Sequence, residues 1–453
     1  MPDKNSHAVS PHPRRVLALW DLIIYGIVLI QPIAPVGIFG LATKMSRGHV
    51  VATILIAMVA MMLTASSYGR LAARYPSAGS AYTYVGRGFG PHAGFLVGWA
   101  MFLDYLIIPA INTIYGALTL QRLFPSVPYA AWAILFAAVM TTLNLMGVRS
   151  MARANSILLA VMFLVIGAFV WFAVKFLLAS QGWDGVFSSV PFYNPRTFDI
   201  RSVMTATSLA ALTYIGFDGV TTLAEEVKSP RRTVPLATVL VCLLTGIFSS
   251  VEVYLAQRVW PDYLTFPNLE TAFLDVTRRA GGELLFQAMG AILVVAAIGS
   301  GLAGQAGAAR LLYGMGREDM LPRRLFGFLD SRRGVPSFNI LLLGVLSVAG
   351  SWLVSYQLAA ELLNFGAFLA FMGVNLSAAR EFLFRRDPSH ERNLLLDAAV
   401  PAFGFLFCFG IWWSLPAYAK IGGGCWFAGG VLWLALKTRG FRVKPAAIDF
   451  SEA

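Results

Sequence analysis

Charge is what this chain has least of. Of its 453 residues only 13% are charged, against 57% hydrophobic, where a soluble protein carries about 25% charged and about 45–50% apolar residues. There are too few polar atoms to cover a compact surface facing water, which excludes an ordinary soluble domain and makes the chain an integral membrane protein. Cysteine is scarce too. Cys242, Cys408 and Cys425 all lie inside apolar runs without C-x-x-C spacing, which excludes a disulfide framework or a zinc ribbon and leaves them as packing residues. The five histidines (His7, His12, His49, His92 and His390) fall near span ends or in tails, and no two share a helix face at ligand spacing. No metal site and no cofactor are expected. P-loop, HExxH and GxSxG motifs are missing, as is any recognisable Ser, His and acid arrangement, so an enzyme is not expected. Gly299-Ser300-Gly301-Leu302-Ala303-Gly304 fits GxGxxG, yet no strand precedes it, and small residues inside an apolar helix serve close helix approach.

Long apolar runs are what the chain has most of. Windows of about 20 residues predict spans at 16–42, 49–73, 91–120, 128–147, 154–179, 200–225, 233–258, 283–313, 338–355, 358–379, 397–416 and 420–437. The first follows Arg14 and Arg15 but runs longer than a signal-peptide core and ends in no A-x-A-like site, so it is expected to stay in the mature protein. The net charge of +12 raises the question of a nucleic-acid partner. With the N-terminus inside, 25 of the 35 Lys and Arg fall on the inner face and 10 on the outer. That asymmetry places both termini in the cytoplasm and accounts for the basic balance without nucleic acid.

Two spans are interrupted in corresponding places. The first carries Pro32 and Pro35 three residues apart, with Gly37 after them; the prolines remove helix donors and the glycine relaxes the backbone, so a break near mid-membrane is expected. The sixth carries Gly216 and Gly219 around Asp218, a weaker signal, since glycine costs a helix only about 1 kcal/mol. Spans one to five fill 16–179 and spans six to ten fill 200–379. Broken helices heading two similar blocks point to a secondary transporter with its site at the midplane; ordinary kinks in membrane helices are the alternative.

Ionisable groups inside the spans need a reason, since each costs about 2.5–3.5 kcal/mol at a helix centre. Asp218, in the sixth-span break, can accept a proton or face a substrate ammonium, or it can cap a half-helix beginning near Gly219. Asp104 sits mid-way along the third span, with Tyr105, Pro109 and Asn112 following as a polar stripe that can line a pathway; a structural hydrogen bond explains it equally. Glu252 is expected to pair with Arg258 at the boundary. Asp21 suits the N-terminus of the first span. The acids and bases after the sixth span, Glu225 to Arg232, read as a cytoplasmic connector.

These residues lead to a family. The first-span break Pro32-Ile33-Ala34-Pro35 with Ile38-Phe39-Gly40, the stretch Tyr75 to Tyr84 (YPSAGSAYTY), Gly94 to Trp99 (GFLVGW), Leu103-Asp104-Tyr105-Leu106, Gly216 to Glu226 (GFDGVTTLAEE), Ala309 to Arg317 (ARLLYGMGR) and Asn364 to Ala367 (NFGA) follow in order. In that order and spacing the chain resembles the amino acid-polyamine-organocation permeases over nearly its full length, and within them the bacterial putrescine importers. The resemblance implies an all-α polytopic membrane protein of 12 transmembrane helices. Its fold is a 5+5 inverted repeat of the LeuT/APC type with broken helices 1 and 6, plus two further helices, working by alternating access and coupled to protons or to exchange. In such proteins the substrate's amino group meets carbonyls of both broken helices. Carried over by position, Ala34, Pro35, Val36, Gly37 and Ile38, with Tyr214, Gly216, Phe217 and Asp218, surround the substrate, and Asn112 is a polar contact. Carbonyls near Ile33 and Ala34 accept the ammonium's hydrogen bonds, and Tyr214 and Phe217 pack its methylenes or gate it.

Two departures shape the expectation. Many amino-acid members read Gly-Ser-Gly where this chain has Pro35-Val36-Gly37, and the prolines remove amides that hold a substrate carboxylate. Proton-coupled members can carry a lysine on the fifth span, seven residues after an asparagine matching Asn155; here Met162 stands there. The expected domains are a cytoplasmic tail 1–15, repeats 16–179 and 200–379, helices eleven and twelve in 397–437, and a cytoplasmic tail 438–453. The expected activity is import of a small cationic amine such as putrescine, or of a related amino acid, across the bacterial inner membrane, with Asp218 and Asp104 as proton-coupling acids. The expected partners are the substrate, protons and membrane lipid. A zwitterionic amino acid permease or exchanger is the nearest alternative, and a channel or transporter-like receptor a remote one.

Overall fold

The computed structural model describes residues 16–75, 80–147, 152–317, 321–330, 333–385 and 393–445, without the side chains of 152–156 and 225. The tail 1–15, the end of the C-terminal tail from 446, Pro76 to Gly79 of the Tyr75–Tyr84 stretch, and the side chains of Asn155 and Glu225 lie outside the described residues. Within them the chain is helical, with no strand beyond a single bridge between Leu17 and Val227.

Helices of ten residues or more are α1 (Leu19–Ile30), α2 (Ala34–Met45), α3 (Val50–Arg74), α4 (Ser80–Phe89), α5 (Pro91–Leu123), α6 (Tyr129–Leu145), α7 (Ala152–Gln181), α8 (Ile200–Ala210), α9 (Pro230–Val259), α10 (Ala272–Arg317), α11 (Ser337–Leu353), α12 (Tyr356–Ala379), α13 (Val400–Trp413) and α14 (Ala417–Lys437). Nine helices among the described residues are long and apolar enough to cross a membrane, and α1 with α2 makes a tenth as a pair bent by 52°. At the expected fourth and ninth spans stand α6 and α11, apolar but only 17 residues each.

The first break is local and proline-made. Gln31 takes φ 67°, Pro32 follows, and Pro35 falls in the first turn of α2, where a missing N–H costs nothing. Pro32 gives Val28 no helical donor, and the Ala34 amide turns to the Gln31 carbonyl at 3.0 Å instead of Ile30. The sixth span breaks otherwise. α8 is capped by Asp199, whose Oδ2 accepts from Ser202 N at 3.0 Å and Oγ at 2.6 Å, and these bonds hold its carboxyl below the usual range. After Ala210 the chain tightens into a 3₁₀ turn, Ala211–Tyr214 (η1), and after Gly216 at φ 114° into a ten-residue 3₁₀ segment, Phe217–Glu226 (η2). Thr221 Oγ1 donates to the Asp218 carbonyl at 2.6 Å and Thr222 Oγ1 to that of Gly219 at 2.7 Å. The expected half-helix from Gly219 is therefore replaced by a longer, tighter segment that starts at Phe217.

Elements five spans apart pack as partners. α3 lies along α9 and α5 along α10, while α1 meets η2 and α2 meets α8. The two broken spans thus run in opposite senses, and the start of the first joins the end of the sixth where Lys228 N donates to Leu17 O at 3.1 Å and Leu17 N to Glu226 O at 3.0 Å. Two helices fall outside the expected spans, α4 after the second and the part of α10 before Gly282 (φ 75°) after the seventh. They occupy matching places in the two blocks. Cys242 and Cys408 are buried as expected, whereas Cys425 is exposed on α14 and packs nothing in the core.

Candidate functional site

The breaks meet in one cavity of about 740 Å³, walled by α1, α2, α5, α7, α10, α12 and the sixth span. Ile33, Ala34 and Gly37 line it from the first break, Gly216 and Asp218 from the sixth, and Asp104 and Asn112 from α5. Pro35, Val36, Ile38, Tyr214 and Phe217 do not line it. Val36 and Ile38 are buried on the other side of α2. The Tyr214 hydroxyl donates to Ile54 O on α3 at 2.9 Å, and the Phe217 ring lies 5.4 Å from Tyr68 and 5.3 Å from Phe371. Those two rings brace the sixth span from behind instead of facing a substrate, because a 3₁₀ turn has three residues instead of 3.6 and redirects its side chains.

On α5 the lining residues are Met101, Asp104, Tyr105, Ile108, Ile111, Asn112 and Tyr115, spaced as one helical face; Pro109, expected in that stripe, is buried off it. Asn112 Nδ2 donates to Ile108 O at 2.8 Å and Ser300 Oγ at 3.2 Å. Gly299, Ser300, Ala303 and Gly304 of the small-residue run form the α10 wall. Met162, at the position where the resemblance implies a lysine in some proton-coupled members, lines the cavity. Tyr105, expected in the α5 stripe, lines the cavity, whereas Tyr25, Tyr115, Thr222, Ser300, Arg310 and Tyr356, also in the lining, are not anticipated from the sequence; the α5 periodicity could have found Tyr115.

Electrostatically the cavity is an acid site. Asp104 is 6% exposed and its Oδ1 has no hydrogen-bond partner among the described residues. Asp218, in the same lining, keeps partial exposure. A buried carboxylate oxygen without a donor is costly unless something occupies the space before it. Arg310 is the basic residue in the lining and is itself exposed. The lining extends through Tyr25, Thr222 and Arg310 toward the face where α1 begins and η2 ends. At the other end the rings of Tyr115 and Tyr356 stand 5.3 Å apart against Gly37, where a Cβ would lie 2.7 Å from Tyr356 Oη.

Two other acids fall outside the cavity. Asp21 Oδ2 accepts from Ala18 N at 2.8 Å, capping α1 as expected. Glu252 does not pair with Arg258: that guanidinium donates to Gly185 O at 2.8 Å and Asp184 O at 3.1 Å, and Glu252 is buried without a hydrogen-bond partner among the described residues. Among the described residues no group of three His, Cys, Asp or Glu is placed to hold a metal ion.

The comparisons with known proteins agree with this architecture. A family model described as amino acid permease matches residues 27–421. The low-affinity putrescine importer PlaP of Escherichia coli (strain K12) is 32% identical over 96% of this chain and 98% of its own. The branched-chain amino acid permease BcaP of Lactococcus lactis subsp. cremoris (strain MG1363) is 23% identical, covering 93% of this chain and 94% of its own. Among solved structures, MhsT in complex with L-phenylalanine matches with a TM-score of 0.57 at 15% identity, over 93% of this chain and 99% of that one, which shows the shared fold. With the family model across most of its length and a relative matching almost end to end, the chain belongs to the amino acid permease family and is a multi-pass membrane transporter of amines or amino acids.

Proposed function

We propose that this transporter imports a small cationic amine, of the putrescine type, across a bacterial inner membrane by proton symport and alternating access, with both termini cytoplasmic. One observation carries the reading: two acids, Asp218 and Asp104, face one cavity at the meeting of the two breaks, and one oxygen of Asp104 has no partner. In this reading Asp218 takes the ammonium or a proton and Asp104 takes the second positive charge. Carbonyls freed around Val28 and Ile30, with the backbone of Ile33 and Ala34, accept the ammonium's remaining hydrogen bonds. Asn112 and Gly216 complete the polar wall, and Gly37 leaves room under the Tyr115 and Tyr356 rings. Pro35, Val36, Ile38, Tyr214 and Phe217 hold the breaks in shape. The blocks 16–179 and 200–379 rock against each other, with 397–437 outside the moving pair.

The sequence similarity to a putrescine importer supports the amine, as does the missing amide at Pro35. A second reading has one observation behind it: Arg310 in the lining can hold a carboxylate, which suits a zwitterionic amino acid or an exchanger. Radiolabelled putrescine uptake into proteoliposomes, with and without an inward proton gradient, decides the coupling; uptake indifferent to the gradient removes symport. Competition by amines against amino acids in the same vesicles separates the two substrates.

A further inference from the structure

One buried acid has no place in the cavity. Glu252 on α9 is 1% exposed and neither carboxylate oxygen has a hydrogen-bond partner among the described residues. Ser249, three residues earlier and on the same helix face, is also 1% exposed with its hydroxyl unpartnered. The charged and titratable groups on neighbouring elements are engaged elsewhere or turned away. On α9 itself, Tyr254 Oη donates to Val186 O at 2.6 Å and Arg258 to Gly185 O. His49, at the start of α3, has Nδ1 2.8 Å from Ser46 O and accepts from Asn194 N through Nε2. Tyr68 on α3 and Tyr214 on η1 face Phe217 and Ile54 O, Lys44 on α2 is exposed, Asp275 on α10 pairs with Arg122, Arg278 with Glu283, and Arg279 lies over Trp260. Farther along these elements stand Asp21 and Tyr25 on α1, Arg70, Arg74 and Tyr75 on α3, Arg231, Arg232 and Cys242 on α9, Lys175 on α7, and Asp218 and Glu226 on η2, and none of them hydrogen-bonds Glu252. An ionised carboxylate buried without a single donor is strongly disfavoured, so in this arrangement Glu252 holds a proton.

Its helix touches both broken spans. Val241 of α9 packs on Gly26 of α1, and a Cβ at Gly246 would lie 2.9 Å from the Tyr214 hydroxyl at the sixth-span break. Glu252 follows Gly246 by six residues, roughly 9 Å along the helix. We propose that Glu252 is a proton-binding site separate from the substrate cavity, protonated in this arrangement and deprotonated when the broken spans rearrange, so that it carries a coupling proton. The proposal rests on the reading of the protein as a proton-driven importer. It also resolves a conflict inside the cavity: a proton and an ammonium that compete for neighbouring acids exchange for one another, whereas a proton held on α9 travels with the amine.

Two readouts test it on the full-length protein. In pH-difference infrared spectra of the purified transporter, the wild type shows a protonated-carboxyl band at neutral pH that Glu252→Gln removes. In proteoliposomes Glu252→Gln keeps putrescine binding and counterflow, while gradient-driven uptake falls by about tenfold, within the usual range of a coupling free energy; Glu252→Asp restores part of it. An infrared spectrum unchanged by Glu252→Gln overturns the protonation. Gradient-driven uptake left intact by Glu252→Gln overturns the coupling role. Loss of binding together with coupling, with Glu252→Asp no better, overturns the proposal in favour of packing. A wild type indifferent to the gradient refutes the symport reading and with it the coupling role, while the infrared spectrum still decides whether Glu252 holds a proton.

Discussion

The two broken spans reach the same cavity by different chemistry. The first break is abrupt: two prolines remove amides, α-helix resumes within three residues, and the axis turns by 52°. The sixth has no proline; Gly216 reverses the backbone at φ 114° and ten residues wind as 3₁₀ helix. Long 3₁₀ runs are uncommon and mark hinges. Proline thus fixes the shape of the first wall, whereas the glycine break yields a segment able to adjust, and the acid at a break, Asp218, stands on that adjustable side. The comparison assigns geometry to the first break and charge recognition to the second.

The largest test of that division is Asp218→Asn. Leaving an ammonium without its anion costs about 3 kcal/mol, roughly a hundredfold, and initial rates of putrescine uptake should fall by that much. Next, Gly37→Ala forces the Tyr115 and Tyr356 rings apart; overpacking of about 1–3 kcal/mol should slow uptake by about tenfold, and adding Tyr356→Phe should recover part of it by removing the nearest atom. Gly216→Ala places a Cβ on a left-handed residue and should cost about 1–2 kcal/mol of stability, read by thermal unfolding of the purified protein. The smallest effect is expected at Pro35→Gly. Returning an amide to the start of α2 should raise competition by zwitterionic amino acids by a few-fold, about 0.3–1 kcal/mol, and lower putrescine uptake by no more than that as the first break loosens.

Hydropathy and proline placement made the fold legible. Each of the expected windows contains a helix, and the first break falls where Pro32 and Pro35 stand. The glycine break was visible as Gly216-Phe217-Asp218-Gly219, but its winding was not, because nothing local distinguishes a 3₁₀ run from an α-helix in apolar sequence. Tyr214 and Phe217, which the resemblance places around the substrate, instead face α3 and α12. The short α4 lay hidden in a polar connector. Arg258 was expected to reach Glu252, yet six residues along a helix put the two side chains about 120° apart around its axis. Asp104 and Asp218 were legible for a simpler reason: acids are costly inside a membrane span.

The central claim is that the cavity between the breaks recognises positive charge through Asp218. Equilibrium binding of radiolabelled putrescine to the purified protein, wild type against Asp218→Asn, tests it without transport or coupling. Saturable binding in the wild type that weakens about a hundredfold in the variant is the predicted result; equal affinity in the two proteins contradicts the account.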